Sequence, residues 1–230
     1  MLKHKHLWMT IVVSLVLLSK GAAQEFIPTA AERLERDPDD MSASPLAAGD
    51  VDGSGFSSDE NVFRRGAQEL GCGLGAGLGM AVFGTEREHD WTIGAVQYGR
   101  MLSGPVATDH WYRGNWELMG ELFGGQQFHP SAAYYVGIAP LLRYNFAAGR
   151  RLVPFADAGA GISATDIRDG DLSTTYEFNL QAGVGLRFFL SDRVAFTAQS
   201  RLIHLSNAST HAPNLGVNNV SLLAGITCFF

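Results

Sequence analysis

The stretch TYEFNLQAGVGLRFF, residues 175–189, alternates between two kinds of side chain. Tyr176, Phe178, Leu180, Val184, Leu186 and Phe188 fall on one parity. Glu177, Asn179, Gln181 and Arg187 fall on the other. A period of two marks a β-strand, whose successive side chains point to opposite faces. One face of this strand is therefore apolar and the other carries charge.

Seven other segments share the habit. WYRGNWELMGELF (111–123) sets Tyr112, Trp116, Leu118 and Leu122 against Arg113, Asn115, Glu117 and Glu121. AYYVGIAPLLRYNF (133–146) opposes Tyr134, Val136, Ile138, Leu142, Tyr144 and Phe146 to Arg143 and Asn145. RVAFTAQSRLIHLS (193–206) opposes Val194, Phe196, Ala198 and Leu202 to Thr197, Gln199 and Arg201. WTIGAVQYGRML (91–102) and LVPFADAGAGISA (152–164) are weaker cases rich in small residues, and NVSLLAGITCFF (219–230) is apolar on both parities. GCGLGAGLGMAVFG (71–84) places five glycines on one parity, with Cys72, Leu74, Ala76, Leu78, Met80 and Val82 on the other. A membrane helix with GxxxG contacts is the competing reading of that stretch, and it fails on length and on its excess of glycine.

Eight strands of about ten residues or more exceed the usual length in soluble sheets. Turn-rich gaps separate them near residues 84–90, 103–110, 124–130, 147–151, 165–173, 190–193 and 207–217. A soluble sandwich with a ligand site would also bury one parity and wet the other, so alternation alone leaves it open. Three features favour a barrel in a membrane: strand length, an export signal, and ionisable residues that sit on the small-and-polar parity, as an eight-stranded lumen requires. Closure also removes the sheet edges that lipid penalises. The expected fold is all-β, an eight-stranded antiparallel transmembrane β-barrel over residues 67–230.

The chain opens with MLKHKHLWMTIVVSLVLLSKGAAQ. Lys3 and Lys5, the apolar run Leu7 to Leu18, and the small residues Gly21, Ala22 and Ala23 have the order of a secretory signal peptide, residues 1–23. The run falls short of the roughly 20 residues that span a bilayer, which favours cleavage over anchoring. Beyond it no lysine occurs, and 14 arginines face 23 acids. No basic patch is present for nucleic acid. Residues 24–66, with ERDPDD and SGFSSDEN, have the composition of an acidic, disordered segment. DVDGSGFSSDEN (50–61) has part of a calcium-loop pattern, but Asn61 stands where a bidentate glutamate is needed. Two cysteines, Cys72 and Cys228, offer no metal-ligand spacing and leave a disulfide across the barrel seam open. No cofactor is expected.

If both termini face the periplasm, residues 207–217 form an outer loop. His204 and Ser206 share the outward parity of Leu202, and Asn218 shares that of Leu222 and Ile226. Polar groups on a lipid face are costly. One account is that they lie at the interface, above the hydrocarbon. The other is that a base beside a hydroxyl makes a serine nucleophile aimed at a lipid.

The segment RLIHLSNASTHAPNLGVN resembles the active-site region of the PagL-type lipid A 3-O-deacylases, outer-membrane acyloxyacyl hydrolases. The matching residues are His204, Ser206, Asn207, Ala208, Pro213, Asn214 and Gly216. The resemblance implies an esterase of the bacterial outer membrane that removes the 3-position ester-linked acyl chain of lipid A from lipopolysaccharide in the outer leaflet. It assigns Ser206 as nucleophile and His204 as general base, with Asn207 and Asn214 supporting the oxyanion. The family has a glutamate two places beyond the glycine; here Asn218 stands there, and no acid follows Asp192. An asparagine carbonyl can hold the histidine tautomer but adds no charge. Glu86, Glu88 or Asp90, in the first outer loop, would be a substitute acid. The alternative is a non-enzymatic eight-stranded outer-membrane barrel with a binding or envelope-structural role. A homodimer is left open.

Overall fold

The structure, a computed structural model, describes residues 62–146 and 151–230. The signal segment, most of the acidic segment and the partial calcium pattern lie outside the described residues. Eight strands follow in order: β1 (Gln68–Gly79), β2 (Asp90–Met101), β3 (Gly114–His129), β4 (Ala133–Phe146), β5 (Leu152–Thr165), β6 (Tyr176–Ser191), β7 (Val194–Ser206) and β8 (Val217–Phe229). Each pairs antiparallel with the next, and β8 pairs with β1, closing the sheet into a barrel. At 12 to 16 residues the strands exceed the roughly 9–11 that a tilted strand needs to cross a bilayer.

Parity sorts the faces as the alternation requires. Leu74, Val96, Leu122, Ile138, Leu180, Val184, Leu202 and Leu222 are exposed on the outer wall. Aromatic residues mark both ends of that wall: Tyr98, Trp116, Tyr144 and Phe196 at the end carrying the first strand's start, and Phe128, Tyr134 and Tyr176 at the other. Such girdles suit the two membrane–water interfaces.

The lumen is filled, in three tiers. Phe63, Met101, Val153, Phe189, Ala195 and Phe229 close the end near the chain terminus. Trp91, Phe123, Tyr135, Ile167, Leu205 and Val217 close the opposite end. Between them Arg143, Arg187 and Arg201 are fully buried among Glu69, Glu117, Glu121 and Asp157. Arg143 Nη2 lies 2.7 Å from Asp157 Oδ2, Arg187 bonds both Glu69 and Glu117, and Arg201 bonds Glu121. Buried charge is tolerated only when paired in this way.

Several sequence boundaries shift. Residues 124–130 read as a turn-rich gap, but β3 continues to His129, leaving only 130–132 as the turn. Gly124 and Gly125 pair with Val136 and Tyr135, and a Cβ on Gly125 would overlap the Thr92 carbonyl oxygen. Glycine there serves close packing rather than a turn. Trp111 and Tyr112, read as strand, lie in the loop before β3. Met80–Phe83 leave β1 and bend back over β8, with Phe83 at φ 54°. Val62 and Phe63, assigned by composition to the acidic segment, are buried against the barrel end. Cys72 sits opposite Ile226 and Cys228 opposite Leu70, so the two thiols are diagonal neighbours across the seam and both are free. Diagonal positions are about 7–8 Å apart, beyond ordinary disulfide reach.

Candidate active site

Strands β7 and β8 place the site. Their register sets His204 directly opposite Asn218. His204 Nδ1 lies 2.8 Å from Asn218 Oδ1. A carbonyl oxygen only accepts, so Nδ1 donates and Nε2 keeps its lone pair. Ser206 follows two residues later on the same outward face, opposite Phe178 of β6. His204 and Ser206 are half-buried and Asn218 is buried. Base, hydroxyl and carboxamide therefore share the outer wall, at the end away from the chain terminus.

The loop entering β8 shapes the imidazole's surroundings. Gly216 has φ +79°, and a Cβ there would lie 2.8 Å from His204 Cε1. Gly216→Ala is expected to displace the ring and to add roughly 1–2 kcal/mol of backbone strain. In the folded variant the His204–Asn218 hydrogen bond should weaken, and nitrogen-15 shifts of the His204 ring in detergent-solubilised protein check it.

Asn207 and Asn214, expected to support an oxyanion, are joined to each other: the Asn207 backbone N–H donates to Asn214 Oδ1 at 3.0 Å. Asn207 Nδ2 donates to the His211 carbonyl at 3.0 Å, so this side chain braces the loop. Ala208 and Ser209 follow in the left-handed region, at φ 53° and 62°.

Sequence reading missed the other side of Asn218. Its Nδ2 donates to the Val82 carbonyl at 2.9 Å and to Thr85 Oγ1 at 2.5 Å. Thr85 Oγ1 in turn donates to the Gly216 carbonyl at 2.9 Å. The acidic substitutes considered from sequence are otherwise placed. The partner of His204 Nδ1 is the amide, not Glu86, Glu88 or Asp90. Asp90 Oδ1 accepts from Gly79 N, and Glu86 contributes its backbone N–H to Asp171. No spacing signal could have found Thr85, which lies 133 residues from Asn218 and meets it only through barrel closure.

Asp171 gathers three loops. Its carboxylate accepts the Glu86 and Arg87 backbone N–H groups and His89 Nε2, the last at 2.9 Å. Its backbone carbonyl accepts from Leu215 N and Gly216 N. His89, Asp169 and Asp171 offer ligand atoms within 4.8 Å of one another. Both ring nitrogens of His89 are already engaged, Nδ1 with Gln127 Oε1 at 2.8 Å and Nε2 with Asp171. The cluster is built as a hydrogen-bonded clamp.

A closed eight-stranded barrel with an apolar outer wall, aromatic ends and a filled charged lumen belongs to the class of bacterial outer-membrane barrels. The family description Lipid A 3-O-deacylase (PagL) matches residues 73–227, and the chain belongs to that family. The lipid A deacylase PagL of Pseudomonas aeruginosa is 36% identical over 90 residues, which cover 38% of this chain and 49% of that protein. The chain thus aligns with about half the length of this curated relative. Among solved structures, the outer membrane enzyme PagL has a TM-score of 0.48 and 21% identity, covering 68% of this chain and 97% of the other. Neisserial surface protein A has a TM-score of 0.53 and 14% identity, covering 72% of this chain and all (100%) of the other, a likeness of fold.

Proposed function

We propose that this chain is an esterase of the outer leaflet that hydrolyses the 3-position ester-linked acyl chain of lipid A. The observation that carries the reading is the His204 Nδ1–Asn218 Oδ1 hydrogen bond on the outer wall, beside Ser206. A substrate whose acyl chains lie in the leaflet meets that wall without entering the lumen.

In this mechanism His204 Nε2 takes the proton of Ser206 Oγ as the oxygen attacks the ester carbonyl. The tetrahedral intermediate collapses, the sugar oxygen leaves with the proton from His204, and the acyl group stays on Ser206. Water, deprotonated by His204, then attacks the acyl carbonyl, and the Ser206 oxygen leaves with that proton as the fatty acid is released. Asn214, its Oδ1 held on the Asn207 N–H, would offer Nδ2 to the oxyanion; such a donor is worth about 3 kcal/mol. Asn218 orients the ring but adds no negative charge against the imidazolium, which predicts slow turnover relative to a site with a carboxylate.

That same amide favours a second reading, a family barrel with a binding or envelope-structural role and no turnover. Mass spectrometry of lipid A from cells expressing the wild type or Ser206→Ala separates the two. Loss of a hydroxyacyl mass with the wild type alone supports catalysis. Identical spectra support the inert barrel.

A further inference from the structure

An amide can serve as the third member of a serine site only if its oxygen, not its nitrogen, faces the imidazole. A flipped Asn218 would present N–H groups to His204 Nδ1 and select the tautomer with its proton on Nε2. That tautomer has no lone pair for Ser206. A carboxylate has no such polarity, so a chain that carries asparagine here needs a device to set it.

We infer that Thr85 is a positioning residue that, together with the Val82 carbonyl, locks the polarity of the Asn218 amide and through it the tautomer of His204. Both protons of Asn218 Nδ2 meet acceptors, at 2.9 Å from Val82 O and 2.5 Å from Thr85 Oγ1. The Thr85 hydroxyl spends its single proton on the Gly216 carbonyl, so toward Asn218 it can only accept. A flipped amide would set its oxygen against the Val82 carbonyl oxygen and a hydroxyl lone pair, in a buried position where such contacts are costly. Thr85 is 5% exposed and Asn218 is also 5% exposed, so water does not readily substitute.

The lock is held from behind. Glu86 and Arg87, the residues after Thr85, bond through their N–H groups to the Asp171 carboxylate, and Gly216 bonds to the Asp171 carbonyl. One residue thus holds both the segment that carries the hydroxyl and the carbonyl that directs its proton. His89 and its contacts with Asp169, Gln127 and Asp171 anchor that residue inside the barrel mouth. On the strand side, Met80 N donates to the Asn218 carbonyl at 2.8 Å, tying the same segment to β8.

The inference rests on the esterase reading for its kinetic consequence, and its spectroscopic consequence stands apart from it. The test compares full-length wild type, Thr85→Val and Thr85→Ser in detergent micelles, with folding checked by heat-modifiable migration on a gel. Valine keeps the shape and removes the hydroxyl; serine restores it. Nitrogen-15 shifts of the His204 ring report the tautomer. The wild type and Thr85→Ser should show one tautomer, protonated on Nδ1, and folded Thr85→Val a mixture. On lipid A bearing a 3-position acyl chain, kcat should fall about tenfold in Thr85→Val, with KM within about twofold, and recover in Thr85→Ser. A folded Thr85→Val with a single Nδ1–H tautomer overturns the inference, as does Thr85→Ser behaving like Thr85→Val. If the wild type releases no fatty acid, the proposed activity fails while the ring shifts still decide the lock.

Discussion

Ser206→Ala is expected to abolish fatty-acid release from lipid A, with a fall of at least about 100-fold in kcat. The size follows from how a serine site divides its work. Removing the nucleophile from a complete triad costs on the order of 10⁶, whereas removing only the acid costs about 10⁴, and the losses do not add. On the proposed mechanism this chain has an amide in the acid's place, so part of that range is already absent. The amide presents Oδ1 to His204 and so keeps the useful tautomer, at 2.8 Å. The loss relative to a carboxylate is therefore the charge on the imidazolium, smaller than a loss of tautomer and charge together. What remains for Ser206→Ala to remove is the gap between that weakened site and the floor set by binding and oxyanion donors. Because Ser206 lies on the outer wall, outside the lumen network, barrel stability should stay within about 0.5 kcal/mol of wild type. Fatty-acid release from purified lipid A, followed by mass spectrometry, measures the first quantity, and urea unfolding in vesicles the second. Equal release by both proteins would remove the proposed nucleophile.

Arg187→Ala should destabilise the barrel by about 3–5 kcal/mol, the usual cost of leaving a buried carboxylate without its partner. Arg187 is fully buried and bonds Glu69, Glu117 and Asn145 Oδ1 at once. Arg143 reaches Glu69 only at 3.7 Å and is committed to Asp157 at 2.7 Å, so it cannot replace the lost charge. The loss should come from stranded carboxylates rather than lost volume. A double variant, Arg187→Met with Glu69→Gln, should recover at least about half of it, since paired removal of a buried ion pair is often near neutral. The urea midpoint of vesicle-folded protein checks both arms. A single variant within about 1 kcal/mol of wild type would mean that water, not protein, solvates the middle of this lumen.

The strand pattern carried most of the fold. Glu117, Glu121, Arg143, Arg187 and Arg201 read from parity as inward-facing, and all five are buried in the lumen. The weak points were glycine-rich stretches, where parity has little to sort. Gly124 and Gly125 read as a turn and are strand, whereas Met80–Phe83 read as strand and are loop. In the candidate site, the outward placement of His204, Ser206 and Asn218 was legible because each shares parity with an outward apolar neighbour. Asn207 and Asn214 were legible as loop residues, but not as partners of each other.

Alternation marked the strands, most clearly those with one greasy and one charged face, and put histidine and serine on the greasy face of β7, with asparagine on the parity of Leu222 and Ile226 in β8. That information is local, because side-chain direction along a strand depends only on the count of residues. Only the closed barrel decided what stands behind the asparagine. Stagger between β1 and β8, and left-handed backbone at Phe83 and Gly216, bring Val82 and Thr85 to Asn218 across more than half the chain. Register and loop conformation arise from the whole sheet closing on itself, and no short stretch of sequence contains them.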